Sequence, residues 1–263
     1  MSTILDLIVA NRRAEVLKQR QEIPLRKIQS KIDLGVKRNS LVKQLQIIGV
    51  SGIIAEFKRQ SPSKGVINEQ AEPEIVTKGY ASAGASGLSV LTEGKYFGGS
   101  ISDFTAARHA NLDTPLLRKD FMVAEYQLYE SRLLNADVIL LIASVLGKAE
   151  ISRFTAIAHE LGMEVLLELH DEGEISKIDK EIDMIGINNR NLKDFKVDID
   201  RSLKMLDRLS EKSVKISESG ISNPETVDFM RKRGFQGFLM GEIFMKSQNP
   251  EVACQDFISK LKF

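Results

Sequence analysis

The sequence predicts an α/β fold: one closed barrel of eight parallel strands, each followed by a helix, behind a helical N-terminal arm. Three observations carry this. Eight short apolar runs begin at positions 53, 88, 116, 138, 165, 184, 214 and 238, and near-continuous apolar runs mark parallel strands that helices cover on one side. They recur at a step of about 26 residues, room for a strand, a helix and two short loops. Segments of helical periodicity lie between them, at 74–83, 125–134, 149–161 and 224–232. Eight such units suggest closure into a single (β/α)8 TIM barrel. An open, doubly wound sheet is the rival, weakened because no GxGxxG turn follows the first strand. With no internal repeat, low-complexity tract or linker, residues 1–263 read as one domain, of which 1–50 is the N-terminal helical extension.

In that extension Ser2 or Thr3 can cap a helix on which Ile4, Leu5, Ile8, Val9, Val16 and Leu17 recur near helical spacing. Arg12, Arg13, Glu15 and Lys18 would take its wetter side. Pro24 ends the pattern, and a second capped run starts at Asn39 or Ser40 and continues through Leu41, Val42 and Leu45. The arm reads as a packing extension. It does not read as a targeting signal, because Asp6 interrupts its apolar stretch and no basic region precedes it.

Composition narrows the function. Thirty-seven Lys and Arg balance 36 Asp and Glu, a formal net charge of +1, which gives no support to bulk nucleic-acid binding. No run approaches the roughly 20 apolar residues that cross a bilayer. The single cysteine, Cys254, can form neither an intrachain disulfide nor a CxxC metal site; it fits a reducing, cytoplasmic compartment.

In a parallel barrel the active site forms where the strands end, so polar residues at those exits matter most. The first strand delivers Glu56 and Lys58, two apart and on one side. The second delivers Thr92 and Glu93, and the third Arg118, Lys119 and Asp120. The fifth carries Glu168 between two leucines; the sixth exits at Asn188, Asn189 and Arg190, and the seventh at Ser217, Glu218 and Ser219. Lysines from two strands and glutamates from three of the four that carry one would meet in one low-dielectric cup, where neighbours pull pKa values apart and supply both a proton donor and an acceptor. Glycine turns at Gly220 and Gly241, after the last two strands, suggest a phosphate seat. The stretch Gln60-Ser61-Pro62-Ser63-Lys64-Gly65 reads as a cover over an anionic substrate.

Longer motifs connect these residues. IAEFKRQSPSKG at 54–65, LSVLTE at 88–93, FGGS at 97–100, LLRKDF at 116–121, LLELHD at 166–171, INNRNL at 187–192, SESGI at 217–221 and FLMGE at 238–242 together resemble the indole-3-glycerol-phosphate synthase family of tryptophan biosynthesis. The resemblance runs over nearly the whole chain and implies a barrel that needs neither metal nor organic cofactor. The implied substrate is 1-(2-carboxyphenylamino)-1-deoxyribulose 5-phosphate. Lys119 would be the general acid, Glu168 the general base of the later dehydration, and Lys58, near Glu56, an anion-binding group and second acid. Glu56, Asn188 and Glu218 would position the substrate; Ser61, Ser219, Gly220 and Gly241 would help hold its phosphate. Arg190 either binds substrate or pairs across the barrel top. Glu242 follows Gly241 where some members have serine.

The nearest enzymatic rival is another phosphate-binding barrel such as phosphoribosylanthranilate isomerase; a different class of rival is a noncatalytic phosphate-binding barrel. The SPSKG and LLRKDF stretches argue against the first, and intact Lys58, Lys119 and Glu168 against the second. The expected partner is a phosphorylated small molecule, with no nucleic acid, membrane or obligate protein partner. His170, His109, His159 and Cys254 read as structural or surface residues, and Asp171, Glu172 and Glu174 as residues favouring a helix start.

Overall fold

The computed structural model of the protein describes residues 3–190, 196–210 and 212–262. Ser2 and the end of the INNRNL motif, Asn191 and Leu192, lie outside them. Eight parallel strands, β1 Ile53–Phe57, β2 Gly87–Leu91, β3 Leu116–Lys119, β4 Val138–Ile142, β5 Glu164–Leu169, β6 Met184–Asn188, β7 Val214–Glu218 and β8 Gly237–Met240, close into a barrel. Closure is made by β1, which pairs with β2 on one side and β8 on the other. The fold is the (β/α)8 barrel that the apolar runs predict.

Each strand shows one side to the barrel interior and the other to the helices, because successive side chains alternate across a strand. Ile54, Leu117, Val138, Leu140, Ile142, Leu166, Met184, Val214, Ile216 and Leu239 form the inner cluster. Ile53, Ala55, Phe57, Leu116, Val165 and Leu167 belong to the outer one, packed beneath the helices. This parity places the site: two residues on from Ile54, Leu166, Met184 or Ile216 on the same strand, the inward positions are Glu56, Glu168, Gly186 and Glu218.

The N-terminal extension contributes three helices, α1 Ile4–Glu22, α2 Leu25–Gln29 and α3 Leu41–Leu45. Thr3 and Asp6 form a reciprocal capping box that starts α1. Pro24 stops the pattern as expected, but the chain resumes at once as α2. The short α3 closes the barrel floor: Leu41 and Leu45 belong to the inner cluster, and Ser40 caps the helix by accepting from Lys43 N at 3.0 Å. Glu164, at the bottom of β5, accepts from the backbone N–H groups of Leu41 at 2.8 Å and Val42 at 3.1 Å.

Two expectations for the arm fail. Arg12 does not lie on a wet face; it is buried and forms a two-pronged ion pair with Asp120, at 2.9 Å from Nε and 2.6 Å from Nη2. Leu17, expected on the apolar stripe, is exposed. Arg12 is drawn inward by a partner 108 positions away, which helical periodicity does not register.

The outer helices follow their strands: α4 Pro73–Ser82, α5 Ile101–Ala110, α6 Glu125–Leu133, α7 Lys148–Glu160, α8 Ile199–Leu206, α9 Pro224–Lys232, the short α10 Glu242–Met245 and α11 Pro250–Ile258. Between β5 and β6 the connection is a 3-10 turn, Glu172–Lys177, which Asp171 caps by accepting from Gly173 N. Cys254 packs fully buried in α11. His109 and His159 lie at the surface, the latter 2.8 Å from Asp183. No described helix is long and apolar enough to cross a membrane.

Because Leu41 is fully buried where the floor helix enters the barrel, Leu41→Ala should cost about 2–5 kcal/mol. A urea titration should show a lower midpoint at unchanged slope.

Candidate active site

The C-terminal mouth of the barrel holds a cavity of about 180 Å³. Parity and strand length converge there. Lys119, the last residue of β3, points in while its neighbour Arg118 points out and is fully buried. Arg118 donates to Ser131 at 3.1 Å and to Glu130 at 2.6 Å on α6, and to Thr92 at 3.1 Å. Asp120 joins that outer network through Thr92 at 2.6 Å and Arg118 at 3.2 Å, besides Arg12. The three consecutive polar residues at the exit of β3 therefore divide their work: Arg118 and Asp120 fasten the strand end, and Lys119 is left facing the cavity.

Lys119 Nζ lies 2.7 Å from Glu168 Oε2 and 3.5 Å from Glu218 Oε2. Burial opposes its charge, but Glu168, Glu218 and Glu56 outweigh burial and hold its pKa above the ordinary lysine range. One ammonium cannot serve two buried carboxylates equally. Burial raises both, yet Glu168, nearer to Lys119, is driven well below the usual carboxylate range by that ammonium and by His170. Glu218 is pushed well above it by burial and by the charge on Glu168. The pair therefore presents one ionised and one proton-holding carboxyl, the separation that acid–base chemistry uses. On the adjacent wall Lys58 Nζ lies 2.5 Å from Glu56 Oε1.

The β6 exit supports Glu168 from the other side. Asn188 Nδ2 donates to Glu168 Oε1 at 3.2 Å, and its own Oδ1 accepts from Arg190 N at 3.0 Å. Asn189 ties β6 to the next strand through Ser217 Oγ at 3.0 Å and the Ser219 carbonyl at 2.8 Å. Arg190 reaches Ser63 at 3.3 Å and Glu242 at 3.1 Å. The 60–65 stretch forms a small antiparallel ribbon, Gln60–Ser61 against Gly65–Val66, with Ser61 and Ser63 at the cavity. Glu242 also lies 2.7 Å from Lys246 and 4.0 Å from Lys64. Burial opposes its charge, but Lys246, Arg190 and Lys64 outweigh it and hold the carboxyl below the usual range.

Two glycines explain the shape beside this corner. Gly220 adopts φ +75° directly after Ser219 at φ +67°, and a Cβ on Gly220 would stand 2.1 Å from the Val197 side chain. A Cβ on Gly241 would meet the Glu56 carbonyl oxygen at 2.7 Å. Only glycine lets these two exits pass so close to their neighbours. Both glycines, Ser219 and Glu242 line the cavity.

The cavity also contains residues that the exit count did not single out. Ile4, Leu5 and Ile8 of α1 form part of its wall with Phe97 and Phe121, so the arm read as packing is also a cavity face. His170 lines it too; the signal was present, since His170 follows Glu168 by two and shares its side of β5. Thr92 and Glu93 prove to be fasteners instead: Glu93 accepts from the backbone N–H groups of Tyr96 at 2.8 Å and Phe97 at 3.0 Å. Among the described residues no group of three or more His, Cys, Asp or Glu is arranged to hold a metal ion.

The family model described as indole-3-glycerol phosphate synthase matches residues 5–257. The chain belongs to the indole-3-glycerol phosphate synthase family. It is 46% identical over 262 residues to the indole-3-glycerol phosphate synthase of Bacteroides thetaiotaomicron, covering 100% of both chains. It is 42% identical over 260 residues to that of Laribacter hongkongensis, covering 96% of this chain and 98% of the relative. As an indole-3-glycerol phosphate synthase family member it is an enzyme, a carboxy-lyase of tryptophan biosynthesis. Two solved structures share the barrel at low identity. The 3-hexulose-6-phosphate synthase of Salmonella typhimurium has a TM-score of 0.63 at 13% identity, covering 79% of this chain and 96% of its own. Tryptophan synthase subunit alpha of Legionella pneumophila has 0.60 at 12%, covering 84% and 96%.

The raised pKa of Glu218 has a consequence for stability. Between the usual carboxylate range and its folded value, the folded chain keeps a proton that the unfolded chain releases, so this group lowers stability as pH rises through that window. Glu218→Gln removes the dependence. Thermal melts from pH 5 to pH 8 should show the variant gaining on the wild type as pH rises.

Proposed function

We propose that this cup closes the indole ring of 1-(2-carboxyphenylamino)-1-deoxyribulose 5-phosphate and releases indole-3-glycerol phosphate, carbon dioxide and water. The observation that carries the reading is the Lys119 ammonium set between Glu168 and Glu218 at the cavity. Attack of the aromatic ring carbon on the ketone builds negative charge on oxygen. Lys119 gives that oxygen its proton as the carbon–carbon bond forms. The carboxylate then leaves as carbon dioxide, and its bonding electrons restore ring aromaticity, so this step needs neither a metal nor an electron-sink cofactor. In the last step the new hydroxyl departs as water with a proton from Lys58, and Glu168 accepts the proton lost from the neighbouring carbon.

The remaining residues bind and orient. Glu56 holds Lys58, while Asn188 and the proton-bearing Glu218 address the substrate hydroxyls. Ser61, Ser219, Gly220 and Gly241 seat the phosphate with Arg190, which would exchange its pairing with Glu242 for the incoming anion. Ile4, Leu5, Ile8 and Phe97 offer the anthranilate ring an apolar wall. The whole chain, 1–263, acts as one domain in this reading, with the 1–50 extension lending α1 to the cavity. Its partner is a phosphorylated small molecule, without nucleic acid, membrane or obligate protein partner, and its place is the cytoplasm.

Incubation with the carboxyphenylamino ribulose phosphate in the absence of added metal should produce a rise in indole absorbance. A flat trace from folded protein would overturn the reading. Lys119→Ala should lower kcat by about 10²- to 10⁴-fold with a smaller change in KM, since proton donation develops in the transition state; comparable turnover would remove Lys119 from its role. Gly241→Asp adds both a side chain against Glu56 and a negative charge, and should raise KM for the phosphorylated substrate by about tenfold or more. An unchanged KM would place the phosphate elsewhere.

A further inference from the structure

β6 crosses the layer of Glu168 without a side chain. In register, Gly186 lies between Glu168 of β5 and Ile216 of β7, at an inward position. Glycine inside a strand weakens it and commonly marks a place where another group comes close. Backbone conformation is not the reason for it here, since Gly186 is not among the residues of positive φ. Glu218 is what needs the space. A Cβ on Gly186 would stand 2.1 Å from Glu218 Oε1 and 3.1 Å from its carboxyl carbon, with Leu166 Cδ1 at 3.2 Å. The register partner of Glu218 is Asn188, so the Glu218 side chain reaches back along β6 by two positions to lie against Gly186.

We propose that Gly186 is a positioning residue that acts through Glu218: its missing side chain is the recess that seats this carboxyl, 3.5 Å from Lys119 while Glu168 stands at 2.7 Å. This rests on Glu218 addressing the substrate hydroxyls. Ordinary contact at a Cβ begins near 3.4 Å, so a methyl at 186 obliges Oε1 to retreat by more than about 1 Å. The colliding atom is the far end of a flexible side chain, and the clash is relieved by moving Glu218 while the β6 backbone stays. The cavity that Glu218 lines offers the room. Driven there, the carboxyl leaves its station beside Lys119 and enters the space of the substrate. A misplacement of about 1 Å at a reacting centre costs up to about a hundredfold in rate. The recess also discriminates by side-chain length: glutamine at 218 reaches it as glutamate does, whereas aspartate is one carbon too short.

The test places Gly186→Ala in three backgrounds: wild type, Glu218→Gln and Glu218→Asp. In each, kcat/KM for the carboxyphenylamino ribulose phosphate is compared with that of the parent carrying Gly186. The methyl should cost about tenfold or more with glutamate or glutamine at 218, and less than about twofold with aspartate, where the two sites no longer touch. An equal loss in all three backgrounds is what a purely structural glycine would give, and it would overturn the proposal. Undiminished turnover by Gly186→Ala alone would do the same. Thermal melts of the same six proteins give a readout independent of turnover. Beside aspartate the methyl fills space that the shorter carboxyl vacates, so the Tm change on Gly186→Ala should be more favourable there than in the other two backgrounds by about 2 °C or more. Identical Tm changes in all three would also overturn the proposal. Failure of the underlying reading looks different: Glu218→Gln and Glu218→Asp would turn over as fast as the wild type, or the folded wild type would not turn over at all, while the melts still report the recess.

Discussion

One positive charge organises the mouth of this barrel. Lys119 is asked to neutralise two buried carboxylates at 2.7 and 3.5 Å, and it can satisfy only the nearer. Everything chemical about the cup descends from that shortage. Glu168 becomes an ion, Glu218 holds its proton, and two side chains of the same type acquire opposite charge states through position alone. The strand end that carries Lys119 is held by its neighbours. Arg118 and Asp120, on either side of Lys119, are fixed to α6, to Thr92 after β2 and to α1 by hydrogen bonds and ion pairs, and Lys119 is left between the two carboxylates.

The fold was legible because its dominant signal is local. Strands buried on both sides need apolar residues at consecutive positions, and their rhythm survives in the sequence without knowledge of what lies across the barrel. The helix at 224–232 matches α9 end to end, and the helices at 74–83, 125–134 and 149–161 each lie within one residue of α4, α6 and α7. Much of the cup was legible for the same reason. Once the strand ends are known, alternation decides which polar residues face inward, and Glu56, Lys119, Glu168, Asn188 and Glu218 follow.

What escaped the sequence depends on distant pairings. Arg12 looks like an exposed helix residue until Asp120 arrives from 108 positions away, and Ile4, Leu5 and Ile8 look like ordinary packing residues until α1 is laid across the mouth. Thr92 and Glu93 stand at a strand exit like the others, but hydrogen bonds to Asp120 and to the backbone after β2 consume them. His170 was visible beside Glu168 yet read as structural, because a sequence does not reveal that its ring reaches the cavity 3.0 Å from the Glu168 carboxylate.

β5 bears on both ends of the barrel. Its first residue, Glu164, grips the start of the floor helix, and four positions later Glu168 stands in the mouth. Those two carboxylates are therefore separated by a stretch of extended backbone about 13 Å long, a strut whose length is dictated by covalent geometry. The depth of the cavity is thus gauged from the barrel's foundation, not from its loops. A change at the floor that let this rod slide by even one residue would turn Glu168 outward and bring a leucine into its place.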